Sequence, residues 1–75
     1  MTANELVQHF GNPRIQVREG DGTKFQWTAD NCVLDVYIYP PDSGQGVPRV
    51  TFADARTRSG ADTDITSCAA VIEAH

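Results

Sequence analysis

Basic residues are scarce in this chain and scattered along it: six Lys and Arg stand against ten Asp and Glu, a formal charge of −4. That balance favours solubility and works against contact with phosphate backbones or anionic membranes. No basic cluster with interleaved aromatics occurs, so nucleic acid is not expected as a partner. No apolar run is long enough to cross a bilayer as a helix. The start also lacks the basic segment and apolar stretch of a secretory leader, because Met1-Thr2-Ala3-Asn4 passes straight into an amphipathic pattern. If the domain is exported, the expectation is a mature segment with a starting Met in front.

Groups that commonly carry chemistry are equally thin. His9 is the only interior histidine, and beside Phe10 near a helix end it reads as an exposed side chain favoured by the helix dipole. His75 is terminal. A cysteine–histidine nucleophile pair would need a free Cys32 or Cys68 near His9 and a third orienting group, and none is evident. Asp62 and Asp64, with Asp54 or Asp42, offer hard oxygen ligands, but the spacing lacks the calcium-loop pattern and its glutamate, and helix capping accounts for them. Gly20, Gly22, Gly44 and Gly46 form neither a phosphate-binding loop nor a dinucleotide fingerprint and read as turn residues. No cofactor is expected, and the chain is not read as an enzyme.

What the 75 residues do contain is one small core. Forty per cent are apolar or aromatic, including three Phe, two Tyr and one Trp, which suffices for a single domain over 1–75 and leaves nothing for a second. Residues 2–10 predict a short helix opened by a capping box at Thr2 and Glu5, or a turn later by Asn4 as an alternative cap, with Ala3, Leu6, Val7 and Phe10 on one face and Gly11 and Pro13 ending it. Ile15 and Val17 alternate with Arg14, Gln16 and Arg18, the pattern of a half-buried strand. A turn at 19–22 leads to a second strand carrying Phe25 and Trp27.

Cys32 to Tyr39 is the strongest strand in the chain. Cys32, Leu34, Val36 and Ile38 share its core face. Val33, Asp35, Tyr37 and Tyr39 share the other, where the two tyrosines can stack or anchor an interface, with Arg14, Arg18 or Arg49 as polar neighbours. Residues 40–46 read as an exposed hairpin loop. Val47 to Arg56 is extended, as one strand or two, with Val50 and Phe52 expected on one face beside Asp54. A last helix follows, capped by Asp62, Thr63 or Asp64, with Ile65, Cys68, Ala69 and Ile72 inward.

These elements predict an α+β fold: a three- to four-stranded antiparallel sheet whose neighbours pair in order, one face packed against an N-terminal and a C-terminal short helix. Cys32 begins the central strand on its core face and Cys68 lies on the inward face of the last helix, so the two side chains point toward each other. That placement favours a disulfide, while two reduced cysteines buried as small core residues remain the alternative.

The run Leu6…Phe10-Gly11-Asn12-Pro13, Arg18-Glu19-Gly20, Trp27 and Cys32-Val33-Leu34-Asp35-Val36-Tyr37-Ile38-Tyr39-Pro40 resembles the C-terminal domain of small alphaproteobacterial envelope proteins, often lipoproteins. Their pattern is a leucine-rich helix ending in Leu-Gly-x-Pro, an Arg-Glu-Gly turn, a Trp-Gln-Tyr strand, Cys-x-Leu-Asp-x-x-Leu-Tyr and a late cysteine matched here by Cys68. This chain has Phe10 before Gly11 and Gln26-Trp27-Thr28 in place of Trp-Gln-Tyr. A more distant likeness is to the SmpA/OmlA (BamE-like) outer-membrane assembly lipoproteins.

The resemblance implies the Cys32–Cys68 bond and a periplasmic location, or the periplasmic face of the outer membrane, with membrane contact only through a lipid anchor outside this segment. No catalytic residues transfer with it. The function expected is a structural or protein-binding role toward another envelope protein, through Tyr37 and Tyr39. The alternative is a small-molecule or metal-ion binding module using the acidic residues near the last helix.

Overall fold

The structure, a computed structural model, describes residues 1–41 and 46–73. The chain runs α1 (Ala3–Phe10), β1 (Ile15–Glu19), β2 (Gly22–Thr28), β3 (Cys32–Tyr39), β4 (Arg49–Thr57) and α2 (Ile65–Glu73). The strands form one antiparallel sheet in the order β1-β2-β3-β4, and both helices pack on the same face. The predicted α+β architecture is the observed one. Most of the predicted hairpin loop at 40–46 lies outside the described residues.

α1 begins where its capping box requires. The Thr2 hydroxyl accepts the Glu5 N–H at 3.3 Å, and Glu5 Oε1 accepts the Thr2 N–H at 2.8 Å, satisfying two donors that a helix start leaves orphaned. Gly11, at φ 80°, ends the helix in a backbone conformation that costs a glycine nothing. α2 is opened by Asp64, the third of the three candidate caps. Its carboxylate accepts the Ser67 N–H at 2.9 Å and the Ser67 hydroxyl at 2.7 Å.

The β1–β2 connection is a two-residue loop, Gly20-Asp21, closed by the pair Glu19 and Gly22. Gly20 has φ 60° and Asp21 does not enter the positive-φ region, the pattern of a type II′ turn, whose first central residue must be glycine. Gly22 serves a second purpose. A Cβ there would sit 2.5 Å from the Tyr39 ring, so the missing side chain makes room for that tyrosine.

The core lies between the sheet and the helices. Phe25, Trp27, Leu34, Val36, Ile38 and Ala55 supply the sheet side, with Leu6 from α1 and Cys68 and Ile72 from α2. Trp27 is buried against Phe10 and Phe25, and its Nε1–H donates to Gly11 O at 3.0 Å, fastening the end of α1 to the second strand. Cys32 and Cys68 are bonded, with Cα atoms 5.9 Å apart, tying β3 to α2. Of the expected inward stripe of α2, Cys68 and Ile72 are buried and Ala69 half-buried, whereas Ile65, in the first turn, is 41% exposed because the apolar cavity it lines is open to solvent.

Two placements differ from expectation. Val47 to Arg56 resolves into one strand, and Val50 and Phe52 do not share a face. Tyr37 pairs with Phe52 and Ile38 with Val50, leaving Thr51 as an extra residue. The bulge resets the alternation, so Val50 packs on the core while Phe52 turns outward. Ile15 and Val17 form a strand as expected but not a half-buried one. They pair with Gln26 and Lys24 and so point away from the helices, 43% and 39% exposed. α2 lies over β3 and β4 and the end of α1 meets Trp27 of β2, which leaves β1 exposed along its length.

Candidate functional site: the open face of the sheet

Cross-strand partners in an antiparallel sheet project to the same side, so the register defines the face opposite the helices. One row runs across all four strands as Val17, Lys24, Tyr37 and Phe52. Next to it runs a second row of Ile15, Gln26, Asp35 and Asp54. The Tyr37 and Phe52 rings meet with centroids 5.6 Å apart at 52°, a tilted geometry that aromatic pairs favour. Phe52 is 59% exposed, the most exposed large apolar side chain among the described residues.

The expected interface residues both lie on this side, but with different duties. Tyr37 is half-buried within the aromatic row. Tyr39 is exposed and lies over Gly22, filling the space that glycine leaves. Of the arginines expected beside them, only Arg49 shares the row of Tyr39. Gln16 pairs with Phe25 and Arg18 with Thr23, which puts Arg18 on the helix side of β1, and Arg14 borders Trp27 there. The residue that sequence reasoning missed is Phe52. Its only signal is an aromatic one step beyond a strand irregularity, which alternation alone cannot detect.

The second row contains a buried charge. Asp35 is 2% exposed although it sits on the uncovered side, because its neighbours close over it. Gln26 Nε2 donates to its Oδ1 at 2.8 Å and Arg56 Nη1 to its Oδ2 at 2.6 Å, so both carboxylate oxygens have partners. Asp54 lies directly across from Asp35. Two carboxylates in that position repel, and the Arg56 guanidinium offsets this while holding the side chains in one arrangement. The row is a rigid polar floor beside the aromatic one.

The remaining candidate groups are separate from this face. His9 Nδ1 lies 3.2 Å from Glu73 Oε2 between the two helices, both side chains exposed. Asp62 bridges to Arg56 through the backbone at the edge of β4, and Asp64 is occupied as the α2 cap. Asp42 and His75 lie outside the described residues. Among the described residues no three His, Cys, Asp or Glu side chains are grouped to hold a metal ion. A cavity of about 340 Å³ at one end of the molecule has Phe10, Trp27 and Ile72 as its floor and Asn12, Arg14 and Thr28 as its polar groups. A second, of about 310 Å³, opens between the helices and the sheet and is lined by apolar residues such as Leu6, Leu34, Val36 and Ile65. Neither brings two titratable groups together.

The capping carboxylates confer a pH dependence. Hydrogen bonds from the Thr2 backbone hold the Glu5 carboxyl below the usual carboxylate range, and the Ser67 hydroxyl and N–H do the same for Asp64. Both groups are lower in the folded than in the unfolded chain, so their stabilisation is present above the unfolded values of about 4 and is lost as pH falls through the folded ones. The thermal midpoint should therefore hold level above about pH 5 and fall below about pH 4. In a Glu5→Gln, Asp64→Asn variant, which has no carboxylate at either cap, the acid-side fall should be shallower. An equally steep fall would remove the caps as its cause.

Comparison with protein-family models, curated proteins and solved structures gives no match to this chain.

Proposed function

We propose that the domain is a non-catalytic protein-binding module of the cell envelope and that its partner, another envelope protein, meets the open face of the sheet. The observation that carries this reading is the row Val17, Lys24, Tyr37 and Phe52, with Phe52 more than half exposed. Aromatic side chains on a rigid sheet are the anchors that dominate protein interfaces, and the adjoining Gln26–Asp35–Arg56 network holds the surface in one shape. A periplasmic location is supported by the Cys32–Cys68 bond, since disulfides persist in oxidising compartments, and by the resemblance to alphaproteobacterial envelope proteins.

Replacing Tyr37 and Phe52 together by Ser tests the assignment. Capture of a native partner from envelope extracts should weaken by about tenfold or more, the loss of two interface anchors. The two side chains contribute little to the core, so the fold, followed by circular dichroism, should persist. Unchanged capture by the folded variant would remove this face as the binding surface.

A further inference from the structure

The two edges of the sheet are treated differently. The outer edge of β4 is occupied at both ends by the chain itself. Val50 N–H donates to Met1 O at 2.9 Å, and Thr57 N–H donates to Ala61 O at 2.7 Å, with isolated bridges from Thr2 to Arg49 and from Asp62 to Arg56. Among the described residues nothing covers the outer edge of β1, whose five residues are all exposed. The two-residue loop makes Glu19 and Gly22 a hydrogen-bonded pair, so antiparallel alternation directs the N–H and C=O of Gln16 and Arg18 away from β2. Those four groups form a short template for one more strand.

The side chains decide what that strand can be. On the open side, Val17 ends the aromatic row and Ile15 ends the polar one, and both would meet apolar residues of an added strand. On the helix side stand Arg14, Gln16 and Arg18, and neither arginine makes an ion pair among the described residues. A second copy paired antiparallel about Val17 would bring Arg14 and Arg18 of each strand close to those of the other. Like charges that close on one face are destabilising, so self-pairing is disfavoured. The same arginines would pair with carboxylates at alternate positions of a foreign strand.

We infer that the β1 edge accepts an extended peptide segment in which apolar residues alternate with acidic ones, adding a fifth strand. The apolar positions continue the Val17–Phe52 row, and the acidic positions meet Arg14 and Arg18. This deepens the protein-binding reading and rests on it for its biological meaning.

The probes are blocked nine-residue peptides titrated into the intact, oxidised protein and followed by amide NMR. One alternates Val with Glu, one alternates Val with Lys, and one is the Val/Glu peptide N-methylated at every residue. The Val/Glu peptide should protect the Gln16 and Arg18 amides from exchange, and the N-methylated form should not. At low ionic strength the Val/Lys peptide should bind about five- to tenfold more weakly, a gap that narrows with salt. An Arg14→Glu, Arg18→Glu variant should reverse the order of the two charged peptides. Both positions are exposed, and a thermal melt of that variant checks its fold.

Absent protection at Gln16 and Arg18, or equal binding of the N-methylated peptide, would overturn the inference. So would indifference to the sign of the peptide charge. If Tyr37→Ser, Phe52→Ser abolishes native capture while no peptide pairs with β1, the open-face reading stands and the edge inference falls. If peptides pair with β1 while those replacements leave capture untouched, the edge inference stands and the open-face reading falls.

Discussion

Replacing Cys32 and Cys68 together by Ala is expected to lower the unfolding free energy by about 4 kcal/mol, the chain-entropy value for a cross-link spanning 36 residues. A chain of this length has a total stability on the order of 4–11 kcal/mol, so the loss consumes much of what there is. The bond acts at a place where little else does. α2 is short, Ile65 in its first turn is exposed, and its other anchors in the core are Ile72 and the partly buried Ala69 and Val71. Urea denaturation of the variant beside the oxidised protein measures the difference, and dithiothreitol added to the native sequence should reproduce it. A loss below about 1 kcal/mol, outside the usual range for a native bridge in a small domain, would mean that noncovalent packing alone holds α2 on β3.

The second large effect is expected at Arg56. Replacing it by Met leaves Asp35, 2% exposed, with Gln26 as its one remaining side-chain partner among the described residues and with Asp54 across the strand pair. Removing one member of a buried pair costs about 3–5 kcal/mol. Arg56 is itself partly exposed and water can reach part of the gap, so about 2–3 kcal/mol is expected by urea denaturation at pH 7. Adding Asp35→Leu to that variant should recover most of the loss, because a well-packed apolar residue carries no stranded charge. If Arg56→Met alone changes stability by less than about 0.5 kcal/mol, the range of ordinary surface substitutions, the ion pair does not hold this face together.

The backbone plan was legible wherever a local rule decided it. The Thr2–Glu5 capping box, the stop at Gly11, the turn at 19–22 and the unbroken β-former run from Cys32 to Tyr39 each appear where the residues place them. Two such placements favoured the Cys32–Cys68 bond over reduced cysteines, and the bond is present. Burial was less legible. Alternation in Ile15-Gln16-Val17-Arg18 identifies a strand, but which side it shows to the helices is set by its pairing with β2, which puts Ile15 and Val17 on the open face. Alternation also fails at a bulge. One extra residue at Thr51 exchanged the faces of Val50 and Phe52 and moved the most exposed aromatic onto the candidate surface. Alternation puts Asp35 on the outer face, and only the three-dimensional meeting of Gln26 and Arg56 closes it from water.

The meeting of α1 with α2 sets an order of events for assembly. The three hairpins of the sheet are local and can close as soon as each is available, since short loops cost little entropy. The helix pair joins residues as distant as His9 and Glu73, 64 positions apart. α1 can settle on β2 early, because the Trp27 indole reaches Gly11 O only 16 positions away, whereas α2 can dock only once β3 and β4 have paired beneath it. Until α2 docks, that part of the inner face lacks its cover and the Cys32 thiol its partner. An oxidant or another unfinished chain can then reach what the finished molecule hides.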